Sequence, residues 1–399
     1  MNRNEFEKRL EQMEQAFSVQ QPELEVTVRD PQLGVEGYVV VWSTRVSIGG
    51  PLERCGKGGT RITPTVSLEE IKMLAKTMAL KNSAAGLLFG GAKSGLKADP
   101  DAAGFETQYR RFIQLTKPLL FENGGIFGGY GFDIGARPIH PHWAISELGS
   151  GRSFTGKPVE LGGTDYDKEG IAGLGVAVAA RTALKFAGLP IEQVSAAVQG
   201  LGAMGAAVVR YFSEFGGRIT SVSDPRIGGT YELPDGLRAA EIEAIGRFDL
   251  AEAGRLFSGR GAKPGGVEDV LYSPADLLFP SALQDVIGAA NRDRIKAKYI
   301  VEGANNPMND QTRAHLFERG VQIIPDFIAN PGGVIAAFVE MTSRITPEEN
   351  QRTRGKVIEA KKVTAEKIES NVLSMLELSA SLGVAPNRAG RFLALRNLV

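Results

Sequence analysis

The chain has 399 residues, 43% hydrophobic and 23% charged, and its 46 basic and 46 acidic side chains cancel to a formal net charge of zero. That length suffices for two or three domains with a sizeable core, and the balanced charge supplies no field to recruit nucleic acid or an anionic membrane. The single cysteine, Cys55, excludes an internal disulfide and reads as a packed apolar group, while Met1 leads into a polar stretch with no apolar signal core or membrane-length run. A cytoplasmic protein acting on small molecules is expected.

Apolar positions at Phe6, Leu10, Met13 and Phe17, with charges between them, predict an amphipathic helix over 4–17. Leu24 to Arg29 alternates and Glu36 to Ser47 is rich in Val, Tyr and Trp, so two strands joined by a turn at Asp30-Pro31 should follow. Ser67, with Glu70 three positions on, opens a helix through Ile71, Leu74, Ala75 and Met78 to about Asn82, which puts Lys81 on its last turn. The apolar run Ala84 to Phe89 reads as a buried strand leading into a bare loop, Gly90-Gly91-Ala92-Lys93-Ser94-Gly95. A lysine beside other cations in a poorly solvated glycine-walled cleft can act as a base near neutral pH. A further helix, Phe105 to Leu119, precedes a glycine-rich segment in which Asp133 sits with no helix to cap. His140 and His142 have no acidic or cysteine cluster beside them, and no metal site is expected.

Residues 151–169 are polar and rich in Gly, Pro and Thr, as a crossing between domains would be. After an alanine-rich helix (175–187), a strand over 194–199 ends in Gly200-Leu201-Gly202-Ala203-Met204-Gly205, and an apolar helix (206–215) follows. The next strand, 218–223, ends in Asp224, nineteen residues beyond Gly205. Strand, GxGxxG, helix and acid together predict dinucleotide binding: the glycines let a pyrophosphate approach the helix N-terminus, and the acid accepts ribose hydroxyls. Asp224 should repel a 2′-phosphate and favour NAD, whereas Arg226 leaves NADP open. Short strands at 276–279, 299–302 and 321–324 continue a parallel sheet and place Asn305 and Asn330 at carboxyl ends of strands, where such sheets bind ligands. A single long helix over 348–378 and a returning C-terminal segment, FLALRNLV, close the chain.

Four charged residues stand among glycines or at a helix end: Lys57 in Gly56-Lys57-Gly58-Gly59-Thr60-Arg61, Lys81, Lys93 in Gly90-Gly91-Ala92-Lys93-Ser94-Gly95, and Asp133 in Gly131-Phe132-Asp133-Ile134-Gly135. In order and type this constellation resembles the glutamate/leucine/phenylalanine/valine dehydrogenase family, and with the GxGxxG half the resemblance covers nearly the whole chain. The resemblance implies an α/β fold of two domains with a cleft between them. The first would be an N-terminal α/β substrate and oligomerisation domain (1–160), joined by C-terminal helices (345–399). The second would be a Rossmann-type doubly wound parallel sheet (161–344). It implies Lys93 as activator of the water that attacks an iminium carbon, and Asp133 as proton shuttle. Lys81 would hold the α-carboxylate and Lys57 a distal carboxylate, with Gly58, Gly59, Gly91 and Ala337 completing the substrate site. Gly200, Gly202, Ala203, Met204, Gly205, Asp224, Pro225, Asn305, Asn330 and Ala172 would serve the cofactor.

The reaction so implied is reversible NAD(P)-dependent oxidative deamination of L-glutamate to 2-oxoglutarate and ammonia, in a homo-oligomer that the family would make a hexamer. Several positions depart from the family pattern. Ala337 stands where glutamate enzymes carry a serine, Ala172 where a threonine is usual, Ser94 replaces a glycine and Pro331 an alanine. These departures keep two alternatives in view, the same chemistry on an amino acid of leucine, valine or phenylalanine type, and a catalytically inactive nucleotide-binding paralogue.

Overall fold

The computed structural model describes residues 1–399, which divide into two compact units. Residues 7–165, 334–360 and 392–399 form the first, and 1–6, 166–333 and 361–391 the second.

The chain opens with α1 (Arg3–Val19), β1 (Leu24–Asp30), β2 (Val35–Ser43), β3 (Gly56–Lys57), β4 (Thr60–Thr63), α2 (Leu68–Ala84) and β5 (Gly90–Lys97). The β1–β2 hairpin is antiparallel, with Leu24 opposite Val41 and Asp30 opposite Val35. β5 lies between β2, to which it is antiparallel, and the short strands β3 and β4, both parallel to it. α3 (Phe105–Thr116), β6 (Tyr130–Gly131), α4 (His140–Leu148) and β7 (Phe154–Thr155) complete the N-terminal part, and Val39, Val41, Leu96, Phe112, Ile113, Phe127 and Tyr130 fill its core.

The apolar run Ala84 to Phe89 is not a strand. α2 extends to Ala84, Ala85 N–H caps back onto the Lys81 carbonyl at 2.9 Å, and the strand is the glycine segment itself. α2 lies so close to β5 that a Cβ on Gly91 would fall 2.2 Å from the Ala79 nitrogen, so the glycine is there to admit a helix. Lys93 therefore projects from a central strand, not from a loop.

The second unit runs α5 (Ile171–Phe186), β8 (Ser195–Gln199), α6 (Ala203–Glu214), β9 (Arg218–Asp224), β10 (Gly229–Glu232), α7 (Ala239–Gly246), α8 (Leu250–Gly259), β11 (Leu277–Pro280), β12 (Tyr299–Val301), α9 (Asp310–Glu318), β13 (Gln322–Ile324) and α10 (Asp326–Ala329). Its sheet has the order β10-β9-β8-β11-β12-β13, a doubly wound arrangement whose direction of winding reverses between β8 and β11. All neighbours are parallel except β10, an antiparallel edge strand on β9 that the expectation of a purely parallel sheet leaves out.

The C-terminal region differs from expectation in three ways. The helix expected over 348–378 is two helices, α12 (Pro347–Thr353) and α13 (Gly355–Leu382), broken where Arg354 turns left-handed at φ 55°. Most of α13 and the start of α14 (Pro386–Leu395) belong to the second unit rather than to the N-terminal domain, because Ile368, Val372, Met375 and Leu376 give α13 an apolar face that is buried there. Residues 334–344 belong instead to the first unit, where Phe338, on α11 (Gly332–Thr342), packs edge-on against Phe89 at 5.0 Å. The final residues do return to the first unit: Ser83 Oγ donates to the Ala394 carbonyl at 2.6 Å.

Candidate active site

Within the first unit, β5 aims Lys93 at the loop after β6, where its Nζ lies 2.8 Å from Asp133 Oδ2. The two side chains are 8% and 18% exposed, so the pair is shielded but not sealed. Burial alone would raise the Asp133 carboxyl. Lys93, together with Arg61 and the Ile134 N–H, outweighs it and holds Asp133 below the usual carboxylate range. Gly58 and Gly59 bring the neighbouring chains in: a Cβ on Gly58 would lie 1.9 Å from the Ala92 carbonyl oxygen, and one on Gly59 would lie 2.7 Å from that of Phe132.

Lys57, on β3, is fully buried, and its ammonium donates to the carbonyls of Gly58 (3.0 Å), Gly129 (3.0 Å) and Tyr130 (2.5 Å). An ammonium has three N–H bonds, and all are used. Burial pushes this lysine down to about 7. Lys57, expected to meet a distal carboxylate, is tied in this structure to main-chain oxygens, and a carboxylate could be bound only in exchange for one of them.

Lys81 occupies the last turn of α2, as expected. Its neighbour Asn82, which the sequence gave no reason to single out, anchors that turn: Asn82 Nδ2 donates to the carbonyls of Lys57 (3.3 Å) and Gly90 (2.7 Å). Asn82 Oδ1 is buried with no partner. Ala337 is buried on α11 and offers no hydroxyl. One turn on, Glu340 accepts from Lys157 Nζ, the Gly156 N–H (3.1 Å), and the Thr164 N–H (3.1 Å) and Oγ1 (3.0 Å). Cys55 is buried, and burial pushes its thiol up to about 12, so it is no nucleophile.

In the second unit Gly200, at φ +83°, turns the chain from β8 into α6, whose first turn carries Ala203, Met204 and Gly205. Gly205 is required by packing, since a Cβ there would lie 1.8 Å from the Gly200 carbonyl oxygen. Gly202 is the N-cap, with no side-chain cap, and a Cβ on it would meet nothing within 4 Å. The helix N-terminus therefore presents bare N–H groups to open space, the setting a pyrophosphate needs. Gln199 Oε1 is buried without a partner beside a cavity of about 480 Å³ lined also by Leu271, Tyr272, Val286 and Arg294.

Asn330 Nδ2 donates to Asn305 Oδ1 (2.9 Å) and the Gly303 carbonyl (3.1 Å), leaving Asn330 Oδ1 buried and unpartnered. The loop bearing Asn305 is braced from below. Glu302 receives Arg313 Nε (2.8 Å) and Nη2 (2.7 Å) and the Asp326 N–H (3.0 Å), although burial still raises its carboxyl to about 7. Ala172 lies in the first turn of α5. Orphaned amide oxygens, a bare helix terminus and open space at Gly202 fit a nicotinamide dinucleotide. Asp224 is already engaged: it accepts from the Leu201 N–H (2.9 Å), the Arg226 N–H (3.0 Å), and Arg226 Nε and Nη2 (2.8 Å each). Chiefly the Arg226 side chain holds it down to about 2. Pro225 opens the short turn that presents Arg226.

Two family models match the chain, "Glutamate/Leucine/Phenylalanine/Valine dehydrogenase" over 162–384 and "Glu/Leu/Phe/Val dehydrogenase, dimerisation domain" over 22–127. The glutamate dehydrogenase of Aeropyrum pernix is 35% identical over 334 residues, covering 79% of this chain and 77% of its own length. The chain belongs to the glutamate/leucine/phenylalanine/valine dehydrogenase family.

Among other members of this family, the NADP-specific glutamate dehydrogenase of Saccharolobus shibatae is 33% identical over 337 residues (81% of this chain, 76% of that one). The NAD-specific enzyme of Peptoniphilus asaccharolyticus is 31% identical over 347 residues (81% and 78%). A solved structure of the hetero-hexameric glutamate dehydrogenase of Thermus thermophilus superposes with a TM-score of 0.73 over all of this chain and 96% of that one, at 25% identity. Lys57, Lys81, Lys93 and Asp133 lie in the first unit, and the GxGxxG turn, Asp224, Asn305 and Asn330 in the second.

Proposed function

We propose that the protein catalyses the reversible oxidative deamination of L-glutamate, with glutamate, water and NAD(P)⁺ giving 2-oxoglutarate, ammonium, NAD(P)H and a proton. The shielded Lys93–Asp133 pair at 2.8 Å carries this reading. It supplies a base and a proton shuttle within reach of one another, which deamination requires twice: to take the proton of the amino group and to activate the water that hydrolyses the imine. Lys81 holds the α-carboxylate. The nicotinamide, when bound, accepts the hydride from the α-carbon. Gly202, the α6 N-terminus, Asn305 and Asn330 hold and orient it, with Gln199 bordering the cavity at the sheet's carboxyl edge.

For the distal carboxylate, Lys57 exchanges a carbonyl partner for the substrate. A charge-assisted bond to a buried ammonium discriminates strongly, because an apolar substrate gives that ammonium nothing better than what it has. The same observation favours a second reading. With all three Lys57 N–H bonds satisfied and Ala337 contributing no hydroxyl, the site also suits a less acidic amino acid.

We further read NAD as the preferred cofactor, since Asp224 accepts ribose hydroxyls and repels a 2′-phosphate. Arg226 partly cancels that charge and keeps NADP in play. Oligomerisation is proposed on the match to a dimerisation domain and on β1, which pairs only with β2 and offers its other edge to a second copy. A homohexamer is the proposed assembly. No helix is long and apolar enough to cross a membrane, and a cytoplasmic setting is proposed. The test is a rate panel of glutamate, leucine, valine and phenylalanine against NAD and NADP. Preference for glutamate supports the first reading, preference for an apolar substrate installs the second, and no hydride transfer with any of them defeats both.

A further inference from the structure

The Lys93–Asp133 pair poses a problem for its own chemistry. When Lys93 gives up its proton to serve as base, a carboxylate paired only with it would be left shielded and uncompensated, which is strongly unfavourable. The structure contains an answer on β4. Arg61 Nε donates to Asp133 Oδ2 at 3.2 Å, the same oxygen that Lys93 reaches, and Arg61 Nη1 donates to Glu70 Oε1 at 2.7 Å. Arginine does not deprotonate in a protein, so its half of the arrangement persists whatever Lys93 does.

The backbone fixes the geometry. The Ile62 N–H donates to the Ile134 carbonyl at 2.9 Å, which ties the loop bearing Asp133 to the strand bearing Arg61. Glu70 stands in the first turn of α2, whose Ser67 cap accepts the Glu70 N–H, so the far end of the relay is also anchored. The charged groups acting on Asp133 are thus Lys93 from β5 and Arg61 from β4, with the Ile134 N–H from its own loop. Glu70 acts through Arg61. Lys57, on β3, is held down in part by the charge of Lys93, and Lys81 lies at the opposite end of α2 from Glu70.

We propose that Arg61 is a positioning residue for the reaction, sharing the Asp133 carboxylate with Lys93, and that Glu70 sets how strongly it does so. This rests on the reading of Asp133 as proton shuttle. It makes a signed statement, because the two residues act on Asp133 in opposite senses. Removing the Arg61 charge makes Asp133 easier to protonate, whereas removing the Glu70 charge frees the guanidinium for Asp133 and makes it harder.

The experiment compares full-length wild type, Arg61→Gln, Arg61→Lys and Glu70→Gln by two readouts. One is the acidic limb of the pH profile of kcat/KM for amino acid oxidation. The other is the titration of the Asp133 carboxyl by ¹³C NMR, assigned with Asp133→Asn, which needs no turnover. Expected are an upward shift of about one pH unit in Arg61→Gln, near wild-type behaviour in Arg61→Lys, and a downward shift of a few tenths in Glu70→Gln. Shifts of the same sign in Arg61→Gln and Glu70→Gln, or a fall in rate with both limb and titration unmoved, overturn the proposal. Should Arg61→Gln fail to fold, the sign of the Glu70→Gln shift decides. Absence of amino-acid-dependent turnover in the wild type defeats the functional reading, while the carboxyl titration still decides the pairing.

Discussion

The first unit holds two shielded ionic clusters built from the same kinds of residue, and they are finished differently. In one, Glu340 is wholly buried and its oxygens receive Lys157 together with two backbone N–H groups and a hydroxyl. Lys157 donates in turn to the Phe154 carbonyl. In the other, Asp133 keeps 18% of its side chain exposed and one of its oxygens takes both Lys93 and Arg61. A carboxylate with every lone pair answered holds chains together, because any change in its protonation is costly. One whose partners are shared between two cations can pass through other charge states, and that is the one an enzyme can use.

The comparison is broken most directly by moving the chemistry. Lys93→Ala should lower kcat by about 10²–10⁴-fold, the range for losing a positioned acid–base group. Arg61 still compensates Asp133, so the unfolding free energy should fall by no more than about 2 kcal/mol. Single-turnover rates and guanidinium melts on the same preparation decide it. A variant that is mainly unstable, with its rate intact, would put Lys93 in the structural class.

The closed cluster should show the reverse. Glu340→Gln leaves Lys157 buried without a counter-charge, and the first unit should lose about 3–5 kcal/mol. The loss should appear in the denaturant midpoint and leave the shape of the pH–rate profile alone. If the variant melts like wild type, burial of this pair is not what fastens residues 156–164 to α11.

His140 sharpens the comparison by adding a buried titratable group with no opposite charge at all. It is stacked between Tyr109 (4.6 Å) and Trp143 (5.4 Å), its Nδ1 accepts the Arg137 N–H, and Nε2 has no partner. Burial, aided by Arg137, pushes it down to about 4 from an ordinary value near 6.5. The unfolded chain thus binds the proton more readily than the folded one. The stability contributed by neutral His140 is complete above about pH 6.5 and is lost as pH falls from there toward 4, at up to about 1 kcal/mol per pH unit. His140→Phe should flatten that part of a urea-stability curve measured between pH 7 and 4.5, and an unchanged slope would assign the acid sensitivity elsewhere.

How much of this could be read from the sequence divides along physical lines. The second unit was legible because local pattern and global fold agree there. β8, the GxGxxG turn, α6, and β9 ending in Asp224 lie where alternation, glycine spacing and strand length put them. In the first unit the motifs were legible and their setting was not. Gly90 to Lys97 looks like a loop because glycine disfavours strands, yet it is the central strand, since only glycine admits α2 against Gly91. Two of the three carbonyls that hold Lys57 come from residues 129 and 130, far along the chain, and no spacing rule announces them. Arg61 was visible as part of a motif, but its role depends on a meeting with Asp133 that only folding creates. The break at Arg354 is marked in the sequence only by the following Gly355, a lone glycine that a long helical pattern can tolerate.

The smallest expected effect lies at the proposed cofactor site, where Asp224 repeats the closed pattern with one difference: its main partner is on the surface. Arg226 has 55% of its side chain exposed and lies against a carboxylate that is nearly buried. A guanidinium so placed can leave Asp224 for a 2′-phosphate at little packing cost, and while it stays it masks the charge that would repel one. Arg226→Ala removes both effects. KM for NADP should rise about 10-fold, equivalent to about 1.4 kcal/mol, while KM for NAD should change less than about 2-fold because the Leu201 N–H still orients the carboxylate. Equal losses for both cofactors would mean that Arg226 holds the turn rather than reads the ribose, and the second unit's carboxylate would then belong with Glu340 and not with Asp133.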